Sequence, residues 1–387
     1  MKKKRFCLWQ LLLTAFAGAA AAVVICVLAT FFWLGEDGRA ILQGLQLVRQ
    51  RFVGDYTAEQ LVDGTMDGMI DGLGDRWSHY LTADAYENQK ESRANAYVGI
   101  GCTIQYEEAG WKITRLISGG PAEQGGLQVG EIITAVDGTS VAGQDSATFS
   151  NLAKGEEGSS VELTVLSADG ETRTVTLVRA KVNNDPVTYE LLPNGVGLIT
   201  IADFHARCAE EAIAAVDDLI GQGASALVFD VRNNPGGYVS ELTKLLDRLM
   251  PEGAIFRSRS RDGKENVTES DAEMVDLPMA VLCNADSYSA AEFFAGALQE
   301  NGQAMVVGEQ TCGKGYSQQT FELPTGGAVV LSTAEYFTGA GTSFIGTGVV
   351  PNRVVGLDED AAKQLAAGNL SHAADAQLQA ALALLEP

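Results

Sequence analysis

Histidine is the rarest residue in this 387-residue chain. The three present are His79, His205 and His372, and none stands beside a G-x-S-x-G turn or a comparable nucleophile motif. This scarcity weighs against a Ser-His-Asp peptidase. The six cysteines (Cys7, Cys26, Cys102, Cys208, Cys283 and Cys312) are scattered. They form no Cys/His cluster with zinc-ligand spacing and no dense disulfide framework, so neither a metal site nor a disulfide-stapled fold is expected. They read as buried free thiols, with Cys283 and Cys312 on either side of Ser289 in the sequence. Basic residues are few: 27 Lys and Arg against 50 Asp and Glu give a formal charge of −23. Four of those cations, Lys2, Lys3, Lys4 and Arg5, lie at the extreme N-terminus, so the remainder is more acidic still. Such a surface repels nucleic acid, and no basic patch argues otherwise. Internal repeats are also absent.

One segment is free of charge altogether. From Phe6 to Leu34 there is no Asp, Glu, Lys or Arg. The run is long enough to span a bilayer, which takes about 20 apolar residues. Its basic flank predicts a cytoplasmic N-terminus and an extracytoplasmic remainder. A cleavable signal peptide is the competing reading, but its apolar core would be about 7–15 residues. The length of the run and its Phe31-Phe32-Trp33-Leu34 end favour an uncleaved single-pass anchor.

The rest divides by hydrophobic period. Residues 1–35 are assigned to the stub and anchor. Residues 36–96 read as a helical arm, either a packed subdomain or a dimerising spacer. In 97–181 short β-rich runs alternate with turn signals such as Asp137-Gly138 and Asp169-Gly170. In 182–357 buried strands alternate with helices, the pattern of an α/β domain. Ala226–Asp230 and Met279–Cys283 are continuous apolar runs, as expected of strands covered on both faces. The Ala/Leu-rich 358–387 segment predicts C-terminal helices.

Three loops follow those strands. Ser289 sits between the strand at 279–283 and a helix from Ala290, at the carboxyl end of the sheet, where α/β folds place their sites. Ser is also a favoured helix cap, so Ser287 or Ser289 could serve only to cap. Arg232-Asn-Asn-Pro-Gly-Gly237 offers backbone amides from Gly236 or Gly237 for an oxyanion, beside the Ala290 amide at the helix start. Lys314, between Gly313 and Gly315, can act as a base if burial lowers its pKa. Gln318 lies an even number of residues further on, which predicts the same strand face.

These segments resemble the carboxyl-terminal processing peptidases, or tail-specific proteases, from about Gly74 to Asn352. Ser287-Tyr-Ser289-Ala-Ala-Glu292 is similar to the family's S-A-S-A-S-E, Gly313-Lys314-Gly315-Tyr-Ser-Gln318 to G-K-G-x-x-Q, and Arg232 to Gly237 to R-N-N-x-G-G. The resemblance implies a ClpP/crotonase-like layered α/β peptidase core without cofactor or metal. It assigns Ser289 as nucleophile, Lys314 as general base and Gln318 as orienting partner, with Ala290 and Gly236 or Gly237 at the oxyanion. The middle region resembles an inserted PDZ domain, which implies that Val98, Gly99, Ile100 and Gly101 receive the free C-terminus of a protein substrate. Four positions depart from the family: Tyr288 and Ala291 beside the nucleophile, the missing proline after Tyr336-Phe-Thr338, and Asn352 for Asp. These bear on substrate preference rather than on catalysis. His79, in a segment resembling the family's lead into the PDZ domain, reads as structural. A membrane-tethered PDZ scaffold without catalysis is the rival from another class, and the joint presence of Ser289, Lys314 and Gln318 counts against it.

Overall fold

A computed structural model describes residues 8–385; the basic stub Met1–Arg5 and Cys7 lie outside the described residues. The chain divides into two compact units, residues 1–65 and 66–387.

In the first unit, α1 (Leu8–Arg51) is long and apolar enough at its start to cross a membrane. It breaks at Gly35, whose φ of 62° interrupts the helix where the uncharged run ends and Glu36 begins. That conformation suits glycine because it lacks a Cβ. The helix α2 (Ala58–Asp71) starts in the first unit and runs on into the second.

The second unit begins with a departure from the helical expectation for 36–96. His79–Leu81 is a strand, paired antiparallel with Ala328–Val330. The Trp-Ser-His-Tyr-Leu run has strand-forming side chains and an open sheet edge to fill. After it comes α3 (Ala83–Arg93), capped by Thr82, whose side chain accepts from the Ala85 amide. The chain then enters the middle domain through Ala96–Gly99 and leaves it through Ala180–Asn183, and these two strands pair antiparallel as a neck.

Within the middle domain a six-stranded antiparallel sheet folds with the short helices α4 (Pro121–Gln124) and α5 (Ser146–Ala153). Ile113, Ile133, Val136, Leu163 and Val165 are fully buried between them. The Asp137-Gly138 turn has positive φ at both residues, 48° and 75°, the geometry that a two-residue hairpin needs. The strand Cys102–Glu107 closes one side of this sheet and, among the described residues, has no neighbour on its outer edge.

The α/β region is built on a six-stranded sheet, in the order Val187–Leu191, Val196–Ile201, Ala226–Asp230, Met279–Cys283, Ala304–Gly308 and Arg353–Val354. All pairings but the first are parallel. On one face lie α6 (Cys208–Gly221), α7 (Val239–Leu249) and α8 (Ala290–Glu300). After α9 (Glu359–Ala366), α10 (Ala376–Leu385) covers the other face through Leu378, Ala380 and Ala381. A second, antiparallel sheet contains Gly253–Ser260, Glu265–Ser270, Tyr316–Glu322, Ala328–Thr338 and the early strand His79–Leu81.

Helix α8 is held from two sides by consecutive phenylalanines. Phe294 meets Phe229 and Phe204 of the parallel-sheet side at 5.4 and 5.7 Å. Phe293 meets Phe256 and Tyr336 of the second sheet at 5.0 and 5.6 Å. Each such ring pair contributes about 0.5–1.5 kcal/mol beyond the area it buries.

A buried ionic cluster ties α10 to the turn after Ala226–Asp230. The Arg232 guanidinium donates to Asp230 (2.9 and 2.6 Å), Asp375 (3.1 and 2.7 Å) and Gln377 Oε1 (2.9 Å). Burial alone would lower the Arg232 pKa, but the two carboxylates outweigh it and hold the guanidinium charged. Asp375 also accepts from the Gln377 and Leu378 amides at the start of α10. Removing one member strands the others without partners, which typically costs about 3–5 kcal/mol. Asp375→Ala is therefore expected to lower unfolding stability by about that much in a denaturant titration; a loss below about 1 kcal/mol would show that the cluster does not anchor the C-terminal helix.

Candidate active site

The loops that follow Ala226–Asp230 and Met279–Cys283 are stitched together. The Ser287 hydroxyl donates to Val231 O (2.7 Å), the Asn233 amide to Asn284 Oδ1 (2.9 Å), and the Tyr288 amide to Asn234 O (3.2 Å). Ser287 is therefore a structural link. Ser289 is not: it stands at the cap position of α8 but makes no side-chain cap bond. Its φ of 58° and ψ of −122° are outside the usual regions for a residue with a side chain. Strain of this kind costs of order 1–3 kcal/mol and gathers at functional sites. The capping alternative thus fails for Ser289, and nothing in the sequence marked its backbone as strained.

Gly236 is needed because of that serine. A Cβ there would come within 2.7 Å of Ser289 Cβ and 2.8 Å of the Ala290 nitrogen. The Gly236 amide, however, donates to Asn234 Oδ1 (2.8 Å), and the buried Asn234 side chain also donates to Ile201 O (2.8 Å). The two glycines are therefore not equivalent. Gly236 gives close approach, and its N–H is already spent. The Gly237 amide has no acceptor among the described residues, and Gly237 and Ala290 both line the cavity in front of Ser289.

That cavity holds about 680 Å³ and is also lined by Lys314, Gln318, Trp77, Tyr288 and Tyr336. Lys314 is buried, 8% exposed. Burial chiefly, and then the Arg93 guanidinium, lower its pKa from 10.5 to about 8, against the opposing pull of Asp75, Cys312 and Glu292. Its Nζ lies 4.6 Å from the Trp77 ring centre and 5.7 Å from that of Tyr288, two rings stacked at 5.8 Å. No hydrogen bond joins the Ser289 and Lys314 side chains among the described residues.

The lysine loop is positioned by Glu292, a residue present in the sequence motif but given no role there. It lies one helical turn beyond Ser289 on α8 and is fully buried. Its carboxylate accepts from the Thr311 hydroxyl, the Gly313 amide (2.7 Å) and the Lys314 amide (2.9 Å). Burial raises its pKa despite these donors. Tyr336 adds a further link: its buried hydroxyl donates to Lys314 O (2.5 Å) and meets the Ser289 side chain. Asp75 accepts from the Ser78 hydroxyl (2.6 Å) and the Trp77 amide (3.1 Å); burial raises its pKa, but these bonds and that of Ser332 hold it below the usual carboxylate value.

Gln318 is in the cavity but not where even spacing from Lys314 predicted. Lys314 precedes the strand Tyr316–Glu322, so the two residues do not lie along one regular strand. The Gln318 amide donates to Tyr316 O (2.8 Å) and Ser332 Oγ (3.4 Å) rather than to Lys314. Two histidines reach the cavity in spite of their distance in sequence, His79 and His205, and His205 Nδ1 lies 3.5 Å from Asp203 Oδ1. Of the motif departures, Tyr288 lines the cavity. Asn352 does not: its Oδ1 accepts from the Val306 amide and Gln299, so it fastens the sheet to α8. The five described cysteines are free; Cys26 is exposed and Cys102 and Cys312 half-buried, so burial is not general. Burial pushes the Cys283 thiol up to about 12.

In the middle domain, Val98 and Gly99 belong to the neck strand. The carbonyls of Ile100 and Gly101 accept from Ala122 (2.7 Å) and Ile117 (3.1 Å) inside the domain. A trans peptide directs its N–H opposite to its carbonyl, so the amides of Gly101 and Cys102 face outward.

Residues 195–355 match peptidase family S41, and residues 112–167 match a PDZ domain. A carboxyl-terminal-processing protease from Picosynechococcus is 32% identical over 353 residues, covering 89% of this chain and 84% of its own. A CtpA-like serine protease of Staphylococcus haemolyticus is 30% identical over 365 residues, covering 91% of this chain and 73% of its own. A solved S41 protease structure from Bacteroides fragilis, 18% identical, superposes with a TM-score of 0.53 over 87% of this chain and 92% of that one, and shares the fold. The chain therefore belongs to peptidase family S41, the carboxyl-terminal-processing proteases, and carries a PDZ domain within it.

Proposed function

We propose that the chain is a serine endopeptidase in which Ser289 attacks the substrate carbonyl and Lys314 is the base. The observation that carries this reading is the pairing in one cavity of a strained serine, whose hydroxyl does not cap its helix, with a buried lysine of lowered pKa. The neutral amine, turned from Trp77 toward Ser289, takes the hydroxyl proton as the oxygen bonds to the carbonyl carbon. The Ala290 and Gly237 amides receive the oxyanion. The protonated Lys314 then gives its proton to the leaving amine, and water hydrolyses the acyl-enzyme with Lys314 again as base. Gln318 packs in the cavity wall and shapes it. The layering belongs, on this reading, with ClpP/crotonase-like cores. The PDZ domain takes substrate C-termini, adding them as a strand to the free edge of Cys102–Glu107. The apolar part of α1 is a signal anchor that leaves the catalytic part outside the cytoplasm, and no cofactor takes part. Dimerisation through the residues before the PDZ domain is compatible with this arrangement.

A Ser-His-Asp alternative has one observation in its favour: His205 lines the same cavity and its Nδ1 lies 3.5 Å from Asp203 Oδ1, though without a hydrogen bond between them. Burial lowers the His205 pKa more than Asp203 raises it. The two readings part on mutation. Ser289→Ala and Lys314→Ala are each expected to reduce cleavage of an unfolded protein by at least about 10³-fold, and His205→Ala by less than about tenfold. The reverse order for Lys314 and His205, read by mass spectrometry of the products, would transfer the base to the histidine.

The pH profile supplies a second test. The working form of Lys314 is neutral, so activity should rise with pH through about 8 and fall about tenfold per unit below it. Arg93→Met removes a cation that lowers the Lys314 pKa, so its ascending limb should move to higher pH. A limb that stays in place would separate it from Lys314. Finally, amidating the C-terminus of a substrate should slow its cleavage, and equal rates for acid and amide would remove the PDZ domain from substrate selection.

A further inference from the structure

The PDZ groove runs between the free-edged strand Cys102–Glu107 and α5. Cys102 and Ile104 line one wall, and Phe149 and Ala153 the other, around about 280 Å³. At one end of the groove the Gly99–Gly101 loop meets the last turn of α5, where a Cβ on Gly99 would stand 3.8 Å from Ala153 O. Lys154 follows Ala153 at this point. Its ammonium is 2.6 Å from Glu91 Oε2 of α3 and 5.7 Å from the centre of the Tyr97 ring. Tyr97 folds over Gly99, which has no Cβ to obstruct it, and its hydroxyl faces the amides of Gly101 and Cys102. The loop amides and the adjacent ammonium are thus both met by oxygens of the chain itself.

We propose that Lys154 receives the terminal carboxylate of the substrate, and that Glu91 occupies this seat until the substrate displaces it. This rests on the reading of the groove as a site for protein C-termini. A carboxylate entering the loop would find two amides and one cation, the complement that Glu91 and Tyr97 now divide. The Glu91–Lys154 pair is about one-third exposed on each side, 32% and 30%. Pairs so placed are weak, so a ligand of the same charge can replace Glu91. The exchange also bears on α3 as a whole. Glu91 and Ser92 line the groove, while Arg93, the next residue, lines the catalytic cavity and donates to Thr320 Oγ1 at 3.3 Å.

The test is fluorescence anisotropy on the full chain in detergent. The probes are a pool of fluorescein-labelled decapeptides, randomised except for a terminal valine, as free acids and as amides. The wild type should bind the acids more tightly than the amides. Lys154→Met should weaken acid binding about tenfold and close the gap between acid and amide, while Lys154→Arg should keep the gap. Glu91→Gln should tighten acid binding a few-fold and leave the amides unchanged. An acid preference that survives Lys154→Met, or acid binding unaltered by Glu91→Gln, overturns the inference while leaving the groove a site for C-termini. Equal binding of acids and amides by the wild type overturns both.

Discussion

The carboxylate of Glu292 is removed from water altogether, and the arrangement of the active site depends on how that cost is met. An isolated buried carboxylate is destabilising by several kcal/mol. Here it is met by one hydroxyl and two backbone amides, all from the segment Thr311 to Lys314. Because Glu292 is on the same helix as Ser289, satisfying it sets the lysine loop against the nucleophile. Neither element could shift alone without stranding a buried charge. The helix is fixed in turn by Phe293 and Phe294, which face opposite sheets. Precision at the site is therefore a product of the core rather than of the loops.

The parts of this architecture that depend on local pattern were legible in the amino-acid sequence. The strands Ala226–Asp230 and Met279–Cys283 and the helix Ala290–Glu300 fall where the continuous apolar runs and the 3.6-residue period put them. What escaped depends on distance or on single-residue geometry. His79–Leu81 is too short to carry a period and becomes a strand only because Ala328–Val330 offers an edge. Lys314 lies ahead of the strand that carries Gln318, so an even count between them does not fix a shared strand face. The unequal roles of Gly236 and Gly237 turn on one bond to Asn234, which no count of glycines reveals. His205 came to the cavity from a loop after the strand Val196–Ile201, and sequence separation from the serine had concealed it.

The electrostatics of the cavity are also a long-range product. Lys314 is depressed by burial and by Arg93, which lies on α3, ahead of the middle domain in the sequence. Trp77 and Tyr288 give the amine an aromatic surface on which it can remain charged, since a ring face attracts a cation. The lysine thus sits between opposed influences, and modest changes around it alter the fraction that is neutral. A base of this sort is easily tuned from outside the catalytic loops.

The two-stranded neck has a consequence for how this protein could be remodelled. Ala96 lies opposite Asn183 and Gly99 opposite Ala180, so the chain departs and returns at one place. To the α/β region the whole middle domain is topologically a hairpin loop. The entropy of closing a loop grows only slowly with its length, so a domain hung from such a neck burdens its host little more than a short turn would. Domains of other binding preference could be spliced in at the same two strands, and a plain turn could take their place, with the register of the neck as the joint to be preserved.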